Sequence, residues 1–241
     1  MKSGIYILGH QGIGDHILCA GIYRDYAKRY KHCVIPVYGE KISILRDLLK
    51  DVKNIQLVYF KSELWEMKME AHRDFLSIFG YESLNLGHHG KDFFKNPNMR
   101  LDENYYAQAN LPLESRWNSF KYVRNIEKEI ELYNLLECDK QQYIFVHDDS
   151  ARDFCIDESR LPEGFKIVRP DLNLTSKFSF FDYIYIIENA RQIHVMESSF
   201  GALIESLNID VPKFAHRYAR PEAKNDYRHE FTYRTNWTVL L

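Results

Sequence analysis

The N-terminal part of the chain alternates between two hydrophobic periods. Short apolar runs, many of them β-branched, predict four strands, at residues 5–8, 33–38, 55–60 and 83–86. Apolar residues at helical spacing predict three helices between them, at residues 15–30, 42–52 and 63–79. Strands and helices that alternate across short loops are typical of a parallel, doubly wound α/β sheet.

This alternation stops at residues 87–92 and resumes further along the chain. An aromatic and polar connector follows, with short helices predicted at residues 103–109 and 126–135. The second series contains predicted strands at 143–147, 165–168, 193–196 and 211–214, and helices at 180–190 and 199–207. We therefore predict two Rossmann-like halves of GT-B-like layout, residues 1–125 with the connector and residues 126–241, separated by an interdomain cleft. The aromatic tail around residues 216–220 and 233–240 is expected to return to the N-terminal half.

Composition narrows the class of partner. The 241 residues are 45% hydrophobic, and 32 basic against 34 acidic residues give a net charge of -2. Nucleic acid is disfavoured as a partner because no basic stripe is present. No signal-type or membrane-spanning segment is predicted, although peripheral contact with a membrane stays open. Reduced thiols in a cytoplasmic protein are the simplest interpretation of four widely spaced cysteines, Cys19, Cys33, Cys138 and Cys155.

The turn after the first strand is the first candidate site. Its glycines allow a ligand to approach the backbone where the next helix begins, and they are Gly9, Gly12 and Gly14. Asp15 would repel a phosphate, so it is interpreted either as a helix N-cap or as a base facing a neutral substrate. His10 and His16 either assist binding or are solvated loop residues.

A second turn of this kind joins a buried strand to a late helix. It consists of Glu197, Ser198, Ser199, Phe200 and Gly201. Its hydroxyls and free N–H groups would hold a diphosphate at the helix N-terminus. In the alternative interpretation Ser198 is only an N-cap, and Gly201 allows close packing of the helix on the sheet.

The third candidate is the loop after the strand at 143–147, with His147 and Arg152. Ligands of open α/β sheets bind beyond the carboxyl ends of strands, where an arginine suits a phosphate. The alternative for Arg152 is a surface ion pair with Asp149 or Asp153. No metal site is expected, because no ligand spacing is present and the adjacent His88 and His89 are predicted to point to different sides.

These motifs carry a family resemblance. The glycine turn with Gly14 and Asp15, and the late acidic, hydroxyl and glycine turn, resemble those of GT-B glycosyltransferases of the family 9 type, the ADP-heptose:lipopolysaccharide heptosyltransferases. The resemblance implies a nucleotide-sugar donor on the C-terminal half and a glycan or other hydroxyl acceptor on the N-terminal half. It also implies Asp15 as general base and no metal or cofactor. The implied residues are Gly12, Gly14, His10 and His16 near the acceptor, and His147, Arg152 and residues 197–201 near the donor.

Two alternatives stay open. An NAD(P)-dependent oxidoreductase would use the first turn for pyrophosphate and Glu40 for a ribose, although the order of the glycines differs from the dinucleotide fingerprint. A non-catalytic sugar- or protein-binding relative would keep the fold and lack turnover.

Overall fold

The computed structural model describes residues 2–61, 63–91, 93, 98–149, 152–220 and 230–241. The chain divides into two compact units, Met1–Val123 and Arg124–Leu241. Each unit contains its own parallel sheet. This is the α/β organisation that the alternating hydrophobic pattern predicts.

The first sheet has four parallel strands in the order β3-β2-β1-β4. They are β1 (Lys2–Leu8), β2 (Tyr30–Tyr38), β3 (Ile55–Phe60) and β4 (Tyr81–Asn85). The helices of this unit are α1 (Ile13–Leu18), α2 (Ala20–Arg29), α3 (Lys41–Leu49), α4 (Trp65–Ile78), α5 (Leu101–Gln108) and α6 (Ser115–Asn118). Part of the core lies between the sheet and α4, where Tyr6, Leu8, Val34 and Met69 are buried together. The strands read as continuous apolar runs because both faces of a parallel sheet are covered.

The first predicted helix is divided in two. α1 and α2 meet at Cys19, whose ψ of -2° departs from the helical value. α2 then packs closely on α6, since a Cβ at Gly21 would lie 2.3 Å from the Ser115 carbonyl oxygen. The predicted stop of α4 is confirmed, because Gly80 follows it with φ +79°, a conformation that favours glycine.

The second sheet has five parallel strands in the order β6-β5-β7-β8-β9. They are β5 (Tyr143–His147), β6 (Lys166–Val168), β7 (Ile193–Val195), β8 (Lys213–His216) and β9 (Thr238–Leu240). The helices are α7 (Ile126–Leu135), α8 (Ile184–Asn189) and α9 (Ser199–Ser206). A 3₁₀ turn at Phe180–Tyr183 precedes α8, where a single helix was predicted. A core of Ile144, Val146, Ile156, Leu161 and Met196 lies against this sheet.

The C-terminal tail completes this sheet with β9, a strand that the sequence pattern does not indicate. Glu205 of α9 is fully buried and accepts hydrogen bonds from the backbone N–H of Arg234, the hydroxyl of Thr235 and the indole N–H of Trp237. These contacts fix the tail on the C-terminal unit. Its predicted packing on the N-terminal half stays a prediction, and residues 221–229 lie outside the described residues.

The four cysteines are free thiols, and of these only Cys155 is exposed. Within the described ranges, none of the helices has both the length and the apolar character needed to cross a membrane.

Candidate functional site

Asp15 lies in the first turn of α1, at the carboxyl end of β1. The helix begins earlier than the predicted N-cap at Asp15, because Gly12 is the N-cap and Asp15 the third helical residue. The N–H of Gly12 donates to Asp15 Oδ2 over 3.0 Å. A Cβ on residue 12 would lie 2.4 Å from that oxygen, so a larger residue here would displace the carboxylate. The N-cap prediction is therefore wrong in position, although the carboxylate does stabilise the helix N-terminus.

A chain of hydrogen bonds leads from the connector to the other Asp15 oxygen. The hydroxyl of Tyr105 in α5 donates to Asp15 Oδ1 over 2.7 Å and lies 2.8 Å from His10 Nδ1. The backbone N–H of His88 donates to His10 Nε2 over 2.9 Å. Because Nε2 accepts, the ring proton is assigned to Nδ1, which donates to the Tyr105 oxygen. Each hydrogen in the chain therefore points towards Asp15.

The surroundings of Asp15 favour its ionised form. Burial raises the pKa of this carboxyl group. His10 and the Tyr105 hydroxyl lower the pKa by more than burial raises it, so the pKa of Asp15 lies below its ordinary value. Burial raises the pKa of Tyr105 well above its usual range, so the phenol stays a donor. The Asp15 side chain retains 20% exposure. A substrate proton can therefore reach a carboxylate that is held in place.

The remaining residues of the first turn have structural surroundings. His16 is buried inside α1, and its Nδ1 lies 2.9 Å from the Tyr23 hydroxyl. Burial lowers the pKa of His16 to about 4, and the solvated-loop alternative does not apply to it. Gly14 lies in the first turn of α1. A Cβ on Gly9 would make only ordinary contact, 3.5 Å from Leu86 Cβ.

The 3₁₀ turn Gly87–His89 supports His10 from the other side. Gly87 has φ +64°, and a Cβ there would lie 2.3 Å from His10 Nε2. The rings of His88 and His10 stack with centroids 4.3 Å apart. The centroids of the His88 and His89 rings are 3.9 Å apart, because the tight turn brings adjacent side chains together. The prediction that these two histidines point to different sides is therefore wrong.

The second turn lies between β7 and α9. Ser198 is the N-cap by backbone position, but its hydroxyl makes no cap hydrogen bond and lies 3.0 Å from His147 Nδ1. The half-buried Ser199 begins α9. A Cβ on Gly201 would lie 2.7 Å from the Met196 carbonyl oxygen, which confirms the close-packing interpretation of this glycine. Burial lowers the pKa of His147 to about 4, so the imidazole is neutral at pH 7.

Two side chains of this turn point into the protein. Glu197 Oε1 accepts hydrogen bonds from Arg217 and from the Tyr233 hydroxyl, each over 2.9 Å. Phe200 is buried, with its ring centroid 4.6 Å from that of His147 and 4.3 Å from that of Phe180. Glu197 therefore holds the tail on the sheet, and the Phe200 ring packs against the His147 ring.

Charged residues follow the ends of β5 and β6. Arg152 is 59% exposed and pairs with Asp149 over 3.0 Å, the surface ion pair weighed as the alternative. Residues 150 and 151 lie outside the described part of the chain. Arg169 donates to Asp148 and to Glu158, each over 2.8 Å. Arg169 directly follows β6 at its carboxyl end, the same signal that points to Arg152, but its guanidinium is occupied by these two carboxylates.

Tyr105 is a residue of the candidate site that the sequence analysis missed. It lies 90 positions from Asp15 along the chain, in a connector with many aromatic residues. Because its role comes from a non-local contact, the spacing of residues carries no signal for it.

Comparison with known proteins places this geometry in context. No family model and no curated protein sequence matches the chain. A solved glycosyl transferase family 9 structure from Veillonella parvula is similar, with a TM-score of 0.58 and 14% identity, over 99% of this chain and 86% of the other. The E. coli ADP-heptose lps heptosyltransferase II is also similar, with a TM-score of 0.54 and 13% identity, over 100% of this chain and 90% of the other. The chain therefore has the two-sheet α/β fold of these glycosyltransferases, and the resemblance predicted from the glycine and serine turns is confirmed for the fold.

Proposed function

We propose that this protein is a glycosyltransferase that moves a sugar from a nucleotide-sugar donor to a hydroxyl acceptor, with no cofactor and no catalytic metal. The fold shared with two glycosyltransferases supports the reaction class. The observation that carries the proposal is the Asp15 carboxylate. It is ionised, partly exposed and held by Gly12 and Tyr105 at the carboxyl end of a strand, where α/β enzymes bind ligands.

Asp15 acts as the general base in this mechanism. It takes the proton of the acceptor hydroxyl as that oxygen attacks the anomeric carbon of the donor. The bond from this carbon to the diphosphate breaks, and the diphosphate leaves with the bonding electrons. Tyr105 and His10 are positioning residues, since they hold the carboxylate through hydrogen bonds.

The leaving diphosphate is assigned to the turn before α9. The hydroxyl of the N-cap residue Ser198 does not cap this helix and lies 3.0 Å from His147 Nδ1 instead. Backbone N–H groups at such a terminus stabilise developing negative charge without a metal. Arg152 approaches the diphosphate only if its ion pair with Asp149 opens.

The test compares wild type with Asp15→Asn in the presence of a chelator. A thermal-shift screen against nucleotides and nucleotide sugars first identifies the donor, since ligand at about 100 times its Kd stabilises by about 2.7 kcal/mol. Transfer to hydroxyl acceptors is then measured. We expect Asp15→Asn to keep donor affinity and to lose transfer by about 10²–10⁴-fold, the usual contribution of a general base.

Asp74→Asn is the matched control, because Asp74 is an exposed aspartate of the same unit. It should leave transfer unchanged. Failure of every nucleotide sugar to bind would refute the proposal. Binding by wild type without turnover would favour the non-catalytic relative, and a cofactor-dependent hydride transfer would favour the oxidoreductase.

A further inference from the structure

Three potential metal ligands meet beside the His10 ring. Glu66 lies in the first turn of α4, and His88 and His89 lie in the 3₁₀ turn Gly87–His89. One ligand atom from each lies within 4.8 Å of the other two. His88 Nε2 and Glu66 Oε1 lie 3.7 Å apart. This is the one such group of three in the described part of the chain.

We propose that Glu66, His88 and His89 form a binding site for a divalent transition metal of the zinc type. Two imidazoles and one carboxylate, with a position left for water, are a donor set typical of Zn²⁺. Zinc bonds of about 2.0–2.2 Å require ligand atoms closer together than in the structure. Glu66 and His88 are exposed and can close this gap by rotation of their side chains.

One further observation supports a ligand at this position. His89 Nε2 is buried and makes no hydrogen bond with the described residues. A buried polar atom without a partner is costly, and such atoms in native proteins commonly contact a water or an ion.

The backbone of the turn is fixed without the metal. Gly87 holds φ +64°, the His88 N–H is bound to His10 Nε2, and the His88 ring stacks on that of His10. A backbone that is already fixed lowers the ordering cost of binding. A bound metal would hold the His88 ring against His10, the residue that donates to Tyr105. The site therefore also supports the position of Asp15.

Metal binding and nucleotide-sugar binding can be tested separately. All three ligands belong to the N-terminal unit, whereas the diphosphate is assigned to α9 of the C-terminal unit. Absence of zinc binding would leave the glycosyltransferase proposal standing. Absence of nucleotide-sugar binding would likewise leave the metal site standing.

The test is isothermal titration of the chelator-stripped full chain with Zn²⁺, alongside Co²⁺ absorption. A Cys155→Ser background removes the exposed thiol as a competing ligand. We expect one equivalent to bind with a roughly micromolar Kd, weaker than four-ligand structural sites. Glu66→Gln should weaken binding by about tenfold or more, and His88→Ala or His89→Ala by about a hundredfold.

Matched controls come from exposed residues outside the cluster. Glu70 is an exposed residue of the same helix as Glu66, and His32 is an exposed histidine of β2. The variants Glu70→Gln and His32→Ala should therefore bind Zn²⁺ like wild type. Circular dichroism checks folding, and the double variant Glu66→Gln/His88→Gln replaces His89→Ala if that variant does not fold. The proposal is overturned if one-equivalent binding is absent, or if it survives in these ligand variants.

Discussion

Tyr105→Phe is the sharpest test of the hydrogen-bond chain at Asp15. The change keeps the buried ring and removes only the hydroxyl, which donates to Asp15 Oδ1 over 2.7 Å and lies 2.8 Å from His10 Nδ1. A hydrogen bond to a charged group contributes about 1.5–3 kcal/mol. We therefore expect the free energy of unfolding at pH 7 to fall by about 2 kcal/mol.

The loss should depend on pH. The folded-state pKa of Asp15 lies below its ordinary value, so the interactions of the carboxylate stabilise the fold above the unfolded pKa. This contribution is lost as the pH falls through the folded pKa. Without the Tyr105 hydroxyl the Asp15 pKa should move up, and the difference between wild type and variant should be full at pH 7 and shrink in acid.

Urea denaturation at pH 7 and at pH 3 measures both effects. Tyr106→Phe is the control, since its buried hydroxyl donates to the neutral carbonyl of Leu18 over 3.1 Å. It should cost about 1 kcal/mol at either pH. The reasoning fails if Tyr105→Phe costs no more than this control, or if its cost is the same at both pH values.

Three further predictions concern other parts of the fold. Burial lowers the pKa of His194 and His216 to about 4. As the pH falls from 6.5 to 4 the unfolded chain therefore binds protons before the folded chain does, and the free energy of unfolding should fall by about 3 kcal/mol for one imidazole. A urea midpoint that stays constant over this pH range would contradict the prediction. Glu205→Gln should release β9, because the buried carboxylate accepts hydrogen bonds from the tail, and limited proteolysis should then trim the C-terminus of the variant but not of wild type. Gly87→Ala should lower the free energy of unfolding by about 2 kcal/mol, because residue 87 has a left-handed φ and its Cβ would clash with His10. An unchanged melting temperature would argue against this turn geometry.

The elements that are predicted well from the sequence have a clear local signal, either a continuous apolar run or helical periodicity with a capping residue. β5 is a continuous apolar run and matches its predicted bounds. α7 has helical periodicity and begins where predicted, after Asn125, whose side chain accepts the backbone N–H of Lys128. β9 has neither, since three residues in an aromatic tail become a strand only by pairing with β8. Local pattern therefore predicts elements whose stability is local or that are buried on both faces.

The candidate site divides in the same way. The glycine turn and Asp15 are recognisable because Gly12 and Asp15 are three residues apart and interact within one helical turn. Tyr105 and the contact between Ser198 and His147 join residues that are distant in sequence. A hydroxyl at an N-cap position predicts a cap, but here the imidazole competes successfully for it. Such contacts are settled by tertiary packing, which residue spacing does not encode.

The buried histidines of the second sheet have a consequence for strand alignment. His194 of β7 lies opposite Phe214 of β8, and its Nδ1 is 2.9 Å from Nε2 of His216, two residues further along. A slip of β8 by two positions would keep every apolar side chain on its original face, so hydrophobic burial alone distinguishes poorly between the two alignments. The slip that places Pro212 opposite His194 would separate the imidazoles and leave buried nitrogens without partners, which is costly. The contact between the two imidazoles therefore disfavours this slipped alignment of the strands.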